Sequence, residues 1–150
     1  MSDIVLEECT LFSETDVTAW NANDWNTKAA SGIAVVDGER ITLRKNTLYN
    51  IELGIRAHAE HSLVEFNTIE SFSGDALQGT GDYSIFQYNT VKNCYAVNSN
   101  HDDGFQSWAT VDNPVTGIVL RNNVIINSDD PEQPFRGSLQ GTLTKEAVRK

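Results

Sequence analysis

An all-β fold, a right-handed parallel β-helix of about five coils behind an N-terminal cap, is predicted by three features of the sequence. Apolar-then-polar pairs recur as Ile33-Ala34, Ile55-Arg56 and Leu77-Gln78, 22 residues apart, and return later as Phe105-Gln106 and Leu139-Gln140. An asparagine follows each of the first four pairs, at Asn46, Asn67, Asn89 and, after a longer gap, Asn122 or Asn123. Each asparagine sits in one frame, with apolar residues three before and two after it: Leu43 and Leu48, Val64 and Ile69, Phe86 and Val91, Leu120 and Ile125. No stretch carries the apolar period of a long amphipathic helix.

The segments then follow in order. Residues 1–31 form the cap, with one strand from residues 3–12 over the first coil, Ile4 and Leu6 on one face and Val5 on the other. An open solenoid end exposes apolar interior and unpaired edges, so Trp20 and Trp25 of the next segment are expected across it. The coils occupy residues 32–142, the first two being Gly32 to Leu53 and Gly54 to Asp75. Equivalent asparagines stack about 4.8 Å apart, letting each amide donate to the next carbonyl and leave no buried polar group unpaired. Leu77 to Phe105 spans 28 residues, with the surplus at Tyr95 to His101. A second surplus falls at Thr110 to Thr116, where Asp112-Asn113-Pro114 signals a turn. Insertions leave a solenoid wall as loops, and such loops commonly shape a binding face. The text from Ser128 to Pro134 is polar and broken by two prolines, a long turn. Ser138-Leu-Gln-Gly-Thr142 then repeats Ala76-Leu-Gln-Gly-Thr80 almost letter for letter, so Leu139 opens a fifth coil. Residues 143–150 are a charged tail.

Composition narrows the partners. The 21 acidic against 11 basic residues give a formal charge of −10. That argues against nucleic acid, whose affinity comes largely from Lys and Arg on phosphate, and against anionic membrane surfaces. The amino terminus shows no signal peptide, and no run is long and apolar enough for a membrane span. Cys9 and Cys94 lack a metal-type spacing and read as two small buried thiols.

Strand alternation places the candidate chemistry. With the anchors inward, the following residues Ala34, Arg56, Gln78, Gln106 and Gln140 point outward in one column. Two positions further on, Val36, His58, Thr80, Trp108 and Thr142 share that face, and Asp75 and Asp103 stand two before their anchors. Amides, an Arg, a His, a Trp and carboxylates suit sugar hydroxyls and rings. Arg56, His58, Gln78, Gln106, Trp108 and Gln140 are therefore the candidate ligand-binding residues; the plain alternative is a face that is polar because it meets water. His101 beside Asp102 and Asp103 is the best acid–base set. His101 and Asp103 share a side of the strand and are the catalytic candidates; a lone loop histidine serves equally as a hydrogen-bonding surface residue.

Four phrases carry a resemblance: Asp24-Trp-Asn-Thr, Gly74-Asp-Ala-Leu-Gln-Gly, His101-Asp-Asp-Gly-Phe-Gln-Ser-Trp and Pro134-Phe-Arg-Gly-Ser-Leu-Gln-Gly. Through them residues 20–142 resemble the right-handed parallel β-helix repeat proteins of the pectate-lyase-like superfold, a group holding polysaccharide lyases, epimerases and hydrolases as well as phage tailspikes and other virion proteins. A narrower similarity is to calcium-dependent pectate lyases with an Asp-Asp-Gly-x-Asp-x-Trp string, matched at Asp102, Asp103, Gly104 and Trp108. It implies Ca²⁺ on Asp102 and Asp103, although Gln106 stands where that string has a carboxylate and calcium prefers many oxygen ligands. Only Arg121 and Arg136 offer a base from a later coil, by elimination. Beyond calcium no cofactor is expected.

Two functions follow as expectations. One is a short structural or adhesion module on the surface of a virus particle such as a phage, extracellular or virion-borne. Its expected partners are glycan or neighbouring virion subunits, and its expected state a homotrimer. The other is a polysaccharide lyase or epimerase, or a fragment of one, acting on acidic polysaccharide.

Overall fold

The structure, a computed structural model, describes residues 1–99, 101–110, 114–140 and 142–145. Asn100, residues 111–113 of the expected turn, Gly141 and the tail residues 146–150 lie outside the described residues. In chain order the elements are β1 (Val5–Glu7), β2 (Thr10–Phe12), α1 (Ala22–Lys28) and β3 (Ile33–Val35). Then come β4 (Thr42–Arg44), β5 (Thr47–Ile51), β6 (Ile55–Ala57), β7 (Leu63–Glu65), β8 (Thr68–Phe72) and β9 (Leu77–Gly79). The last six are β10 (Ile85–Gln87), β11 (Thr90–Cys94), β12 (Phe105–Trp108), β13 (Val119–Arg121), β14 (Val124–Ile126) and β15 (Thr142–Lys145). They form three five-stranded parallel sheets, β1-β4-β7-β10-β13, β2-β5-β8-β11-β14 and β3-β6-β9-β12-β15. The chain visits the sheets in rotation, an all-β arrangement compatible with a β-helix or solenoid. Residues 3–12 supply two strands instead of the one expected, because Glu8 at φ 58° turns the chain between β1 and β2.

Register turns sequence spacing into columns. Leu6, Leu43, Val64, Phe86 and Leu120 are successive partners in the first sheet, and Leu11, Leu48, Ile69, Val91 and Ile125 in the second. In the third sheet Ile33, Ile55, Leu77 and Phe105 line up. The middle members are at most 2% exposed, each full burial stabilising by about 1.5–3 kcal/mol. At the last strands the filling thins, with Leu120 37% exposed.

Asparagine joins the strands at the buried corner. Asn46 Nδ2 donates to Asn67 Oδ1, Asn67 Nδ2 to Asn89 Oδ1 and Asn89 Nδ2 to Asn123 Oδ1, each at 3.0 Å. Each acceptor also takes the backbone N–H of the preceding asparagine, so the ladder fixes chain and side chain together. Asn123 is its last member, whereas Asn122 turns out at φ 54°.

The outer corners follow a rule not visible in the sequence. His61 and Tyr83 occupy one left-handed corner, Phe66 and Tyr88 another, at φ between 53° and 56°. Bulky residues rarely adopt that conformation; here stacking between successive strands offsets its cost, with His61–Tyr83 centroids 5.2 Å apart and Phe66–Tyr88 5.0 Å apart. At Gly54 and Gly81 close approach requires glycine, since a Cβ would strike the carbonyl oxygens of Ala76 and Ala59.

Two placements differ from expectation. Asn21 caps α1 through a reciprocal box with Asp24, and the helix turns Trp25 onto Tyr95, centroids 4.5 Å apart. Trp25 thus braces the loop after β11 from the side. Trp20 meets Trp25 edge-on. The second difference is register: β12 pairs β15 with Phe105 opposite Thr142 and Gln106 opposite Leu143, so Leu139 is not the fifth anchor. Bonds between residues 133–137 and 94–96, including Gln133 Nε2 to the Cys94 carbonyl, absorb the repeated letters before the strand begins.

Candidate functional site

The site is built on the outer side of β6, β9 and β12. Ala34, Arg56, Gln78 and Gln106 are direct register partners across the third sheet, as alternation requires. Gln140 does not extend this column. It stands two before Thr142, as Asp75 stands two before Leu77 and Asp103 two before Phe105, and is therefore the successor of the two aspartates, its backbone N–H on the Asp102 carbonyl. The near-identity of two five-residue phrases misled the register; hydrogen bonding to the loop after β11 decided it.

Around Asp75 and Asp103 lies a compact polar network. Gln78 Nε2 donates to Asp75 Oδ2 at 2.7 Å, and the Asp103 backbone N–H donates to Asp75 Oδ1 at 3.0 Å. Gln106 Nε2 donates to Asp103 Oδ2 at 3.1 Å, and His101 Nδ1 lies 3.3 Å from the same oxygen. The His101 side chain is 44% exposed while that of Asp103 is fully buried. His101 is thus the network's opening to solvent. Asp102 points the other way, as strand alternation predicts, and accepts from Cys94 Sγ. Both cysteines are free thiols; Cys94 is buried as expected, whereas Cys9 is only half-buried.

Burial sets the protonation. Asp102 is raised to about 6 by burial above all, the Cys94 bond opposing it and the charges of Asp75 and Asp103 adding to it. Asp103 is also raised, by burial and then by Asp75. Desolvation penalises the charged form in both cases. Among the described residues several acceptors have no partner: Gln78 Oε1, Asp102 Oδ1 and Asp103 Oδ1, each orphan costing about 1–3 kcal/mol. Sequence reading underweighted Asp75, which proves the hub; its position two before an anchor was the available signal. The Cys94 contact had no signal at all.

Across the sheet stands a second group. His58 and Trp108 meet edge to face with centroids 5.5 Å apart, although Thr80 lies between them in sequence order of the strands. Burial and then the Arg56 charge lower the His58 pKa. His58 therefore joins Trp108. Pockets flank the sheet: one of about 210 Å³ lined by Leu53, Gly74, Asp75 and His101, and one of about 280 Å³ whose polar lining is His58, Glu60, Thr80 and Asp82.

Asp102 and Asp103, the pair expected to hold calcium, serve separate partners. No group of three or more His, Cys, Asp or Glu residues able to hold a metal ion occurs among the described residues. Among them, too, no helix is long and apolar enough to cross a membrane. Comparison with protein-family models, with curated proteins and with solved structures returns no match.

Proposed function

We propose that the chain is a glycan-binding module: a right-handed parallel β-helix of about five coils, in the manner of the pectate-lyase-like superfold, that holds sugar on the outer side of β6, β9 and β12. The observation that carries this reading is the in-register column of Arg56, Gln78 and Gln106, beside the exposed Trp108 and backed by buried carboxylates. Side-chain amides and carboxylates meet hydroxyls, while an aromatic ring meets the apolar face of a sugar. Placement on a virus particle as a homotrimer with neighbouring virion subunits rests on the resemblance of the four phrases alone. Calorimetric titration with a panel of oligosaccharides tests the binding. Trp108→Ala should abolish or strongly weaken it in a protein that stays folded, and Gln106→Ala, which also removes a donor to buried Asp103, should weaken it while lowering the melting temperature modestly; unchanged affinity in both would remove the site.

A second reading, a polysaccharide lyase or epimerase, is favoured by one observation, the His101–Asp103 contact beside carboxyls of raised pKa. Carboxyl groups whose pKa is raised above the ordinary range suit acid–base work. Incubation with uronate polymers, followed by ultraviolet detection of unsaturated products, separates an enzyme from a binding module. Product lost in His101→Ala would favour the enzyme.

A further inference from the structure

We infer, resting on the glycan-binding reading, that the ligand is an oligosaccharide free of carboxylate and sulfate groups, bound best when it carries ammonium groups, and that it runs along the strands from the Asp75–His101 pocket to the His58–Glu60–Asp82 pocket. Three observations support this.

The first is charge. The pockets place Asp75 at one edge of the sheet and Glu60 and Asp82 at the other, and neither is lined by Lys or Arg among the described residues. Asp102 and Asp103 lie buried behind the first pocket. Arg56 is the single cation of the intervening column, outnumbered by these carboxylates. An anionic sugar entering here meets repulsion at both ends of its path.

The second is hydrogen-bonding polarity. Gln78 stands mid-path, 7% exposed, with its Nε2 committed to Asp75 and its Oε1 unpaired. Asp103, fully buried beside His101, likewise leaves Oδ1 unpaired among the described residues. These orphans are acceptors, so the group that satisfies them must donate. Hydroxyl and ammonium groups donate, and an ionised carboxylate set against these two oxygens does not, so the sugar turns a hydroxyl or ammonium edge to them. The His101 ring, 44% exposed and 3.3 Å from Asp103 Oδ2, is the member of the network that an incoming donor meets first.

The third is length. Asp75 to Thr80 is five steps along an extended chain, roughly 16 Å at the strand rise. A disaccharide does not span that distance and a tetrasaccharide does. The path follows the strand direction, across the stacking axis of the coils, because the two pockets sit at opposite ends of the same strands.

The test is calorimetric titration with three matched β-1,4-linked tetrasaccharides, of glucosamine, of glucose and of glucuronate, and with the glucosamine disaccharide. The glucosamine tetrasaccharide should bind tightest, the uronate at least about tenfold more weakly, and the disaccharide at least about tenfold more weakly than its tetrasaccharide. Glu60→Gln, at an exposed position and with folding checked by circular dichroism, should narrow the preference for the glucosamine over the glucose tetrasaccharide about threefold, and an unchanged preference would overturn the role given to charge. Preferential binding of the uronate would overturn this inference and leave the glycan-binding reading standing. Equal affinity for disaccharide and tetrasaccharide would overturn the two-pocket path. Binding of none of the four would overturn inference and reading together.

Discussion

Between Gly32 and Asn93 the chain repeats at an even spacing, and after Asn93 the same columns continue only across insertions; the two regions divide stability from chemistry. In the first, successive strands differ by 21 or 22 residues along the asparagine ladder, and every inward position faces its own kind. In the second, Tyr95, where the chain leaves β11, is braced by Trp25, and His101, Asp102 and Asp103 lie just ahead of β12 at the edge of the third sheet. Unpaired acceptors and raised carboxyl pKa values gather there. Repetition satisfies the inward asparagines through one another, whereas unpaired acceptors collect where the third sheet meets the interruption, at Gln78, Asp102 and Asp103.

The largest way to break the contrast is Asn67→Ala. It removes an acceptor for two groups of Asn46 and two donors, to Asn89 and to the Leu43 carbonyl. Chemical denaturation should show a loss of about 4 kcal/mol. Trp25→Ala comes next, at about 3 kcal/mol. Hydrogen exchange in that variant should quicken in the loop from Tyr95 to Ser99 while β5 and β8 keep their protection; uniform quickening would mean that the two regions are one cooperative unit.

Asp102→Asn sharpens the comparison through pH. The Asp102 carboxyl is raised from 3.8 to about 6 in the folded protein, so the folded state binds the proton more tightly than the unfolded chain. Its contribution is therefore most favourable below about 4, is lost as pH rises through about 6, and becomes a penalty of at most roughly 3 kcal/mol at neutral pH. The variant should gain about 2 kcal/mol over the wild type at pH near 7 and nothing at pH near 4, read from paired denaturation curves. A constant difference across that range would place the carboxyl in a solvated setting. Smallest of all, Arg44→Ala breaks an exposed contact with Glu7, and the melting temperature should not move measurably.

The sequence made the regular region legible because a parallel stack converts a fixed spacing into contact. Ile33, Ile55, Leu77 and Phe105 meet as the anchors suggested, and Asn46, Asn67, Asn89 and Asn123 form the ladder. The outward column was legible to Gln106 by alternation alone. At Leu139 the reading failed, because a stretch that pairs with the Cys94–Ala96 backbone shifts the strand by three residues from the repeated phrase. The stacked left-handed corners at Phe66, Tyr83 and Tyr88 were also hidden. Glycine and asparagine advertise that backbone conformation, whereas here the compensation comes from a ring one strand away. The buried Asp102–Cys94 contact depends on which way a loop enters its strand, and no spacing records that.

The central claim, that sugar is held on the outer side of β6, β9 and β12, is tested most directly by nuclear magnetic resonance during titration with the glucosamine tetrasaccharide. The indole N–H of Trp108 and the side-chain amides of Gln78 and Gln106 should shift in proportion to saturation, while the Phe66–Tyr88 side stays still. Shifts confined to Phe66, Tyr83 and Tyr88, with Trp108 unmoved at saturation, would contradict it.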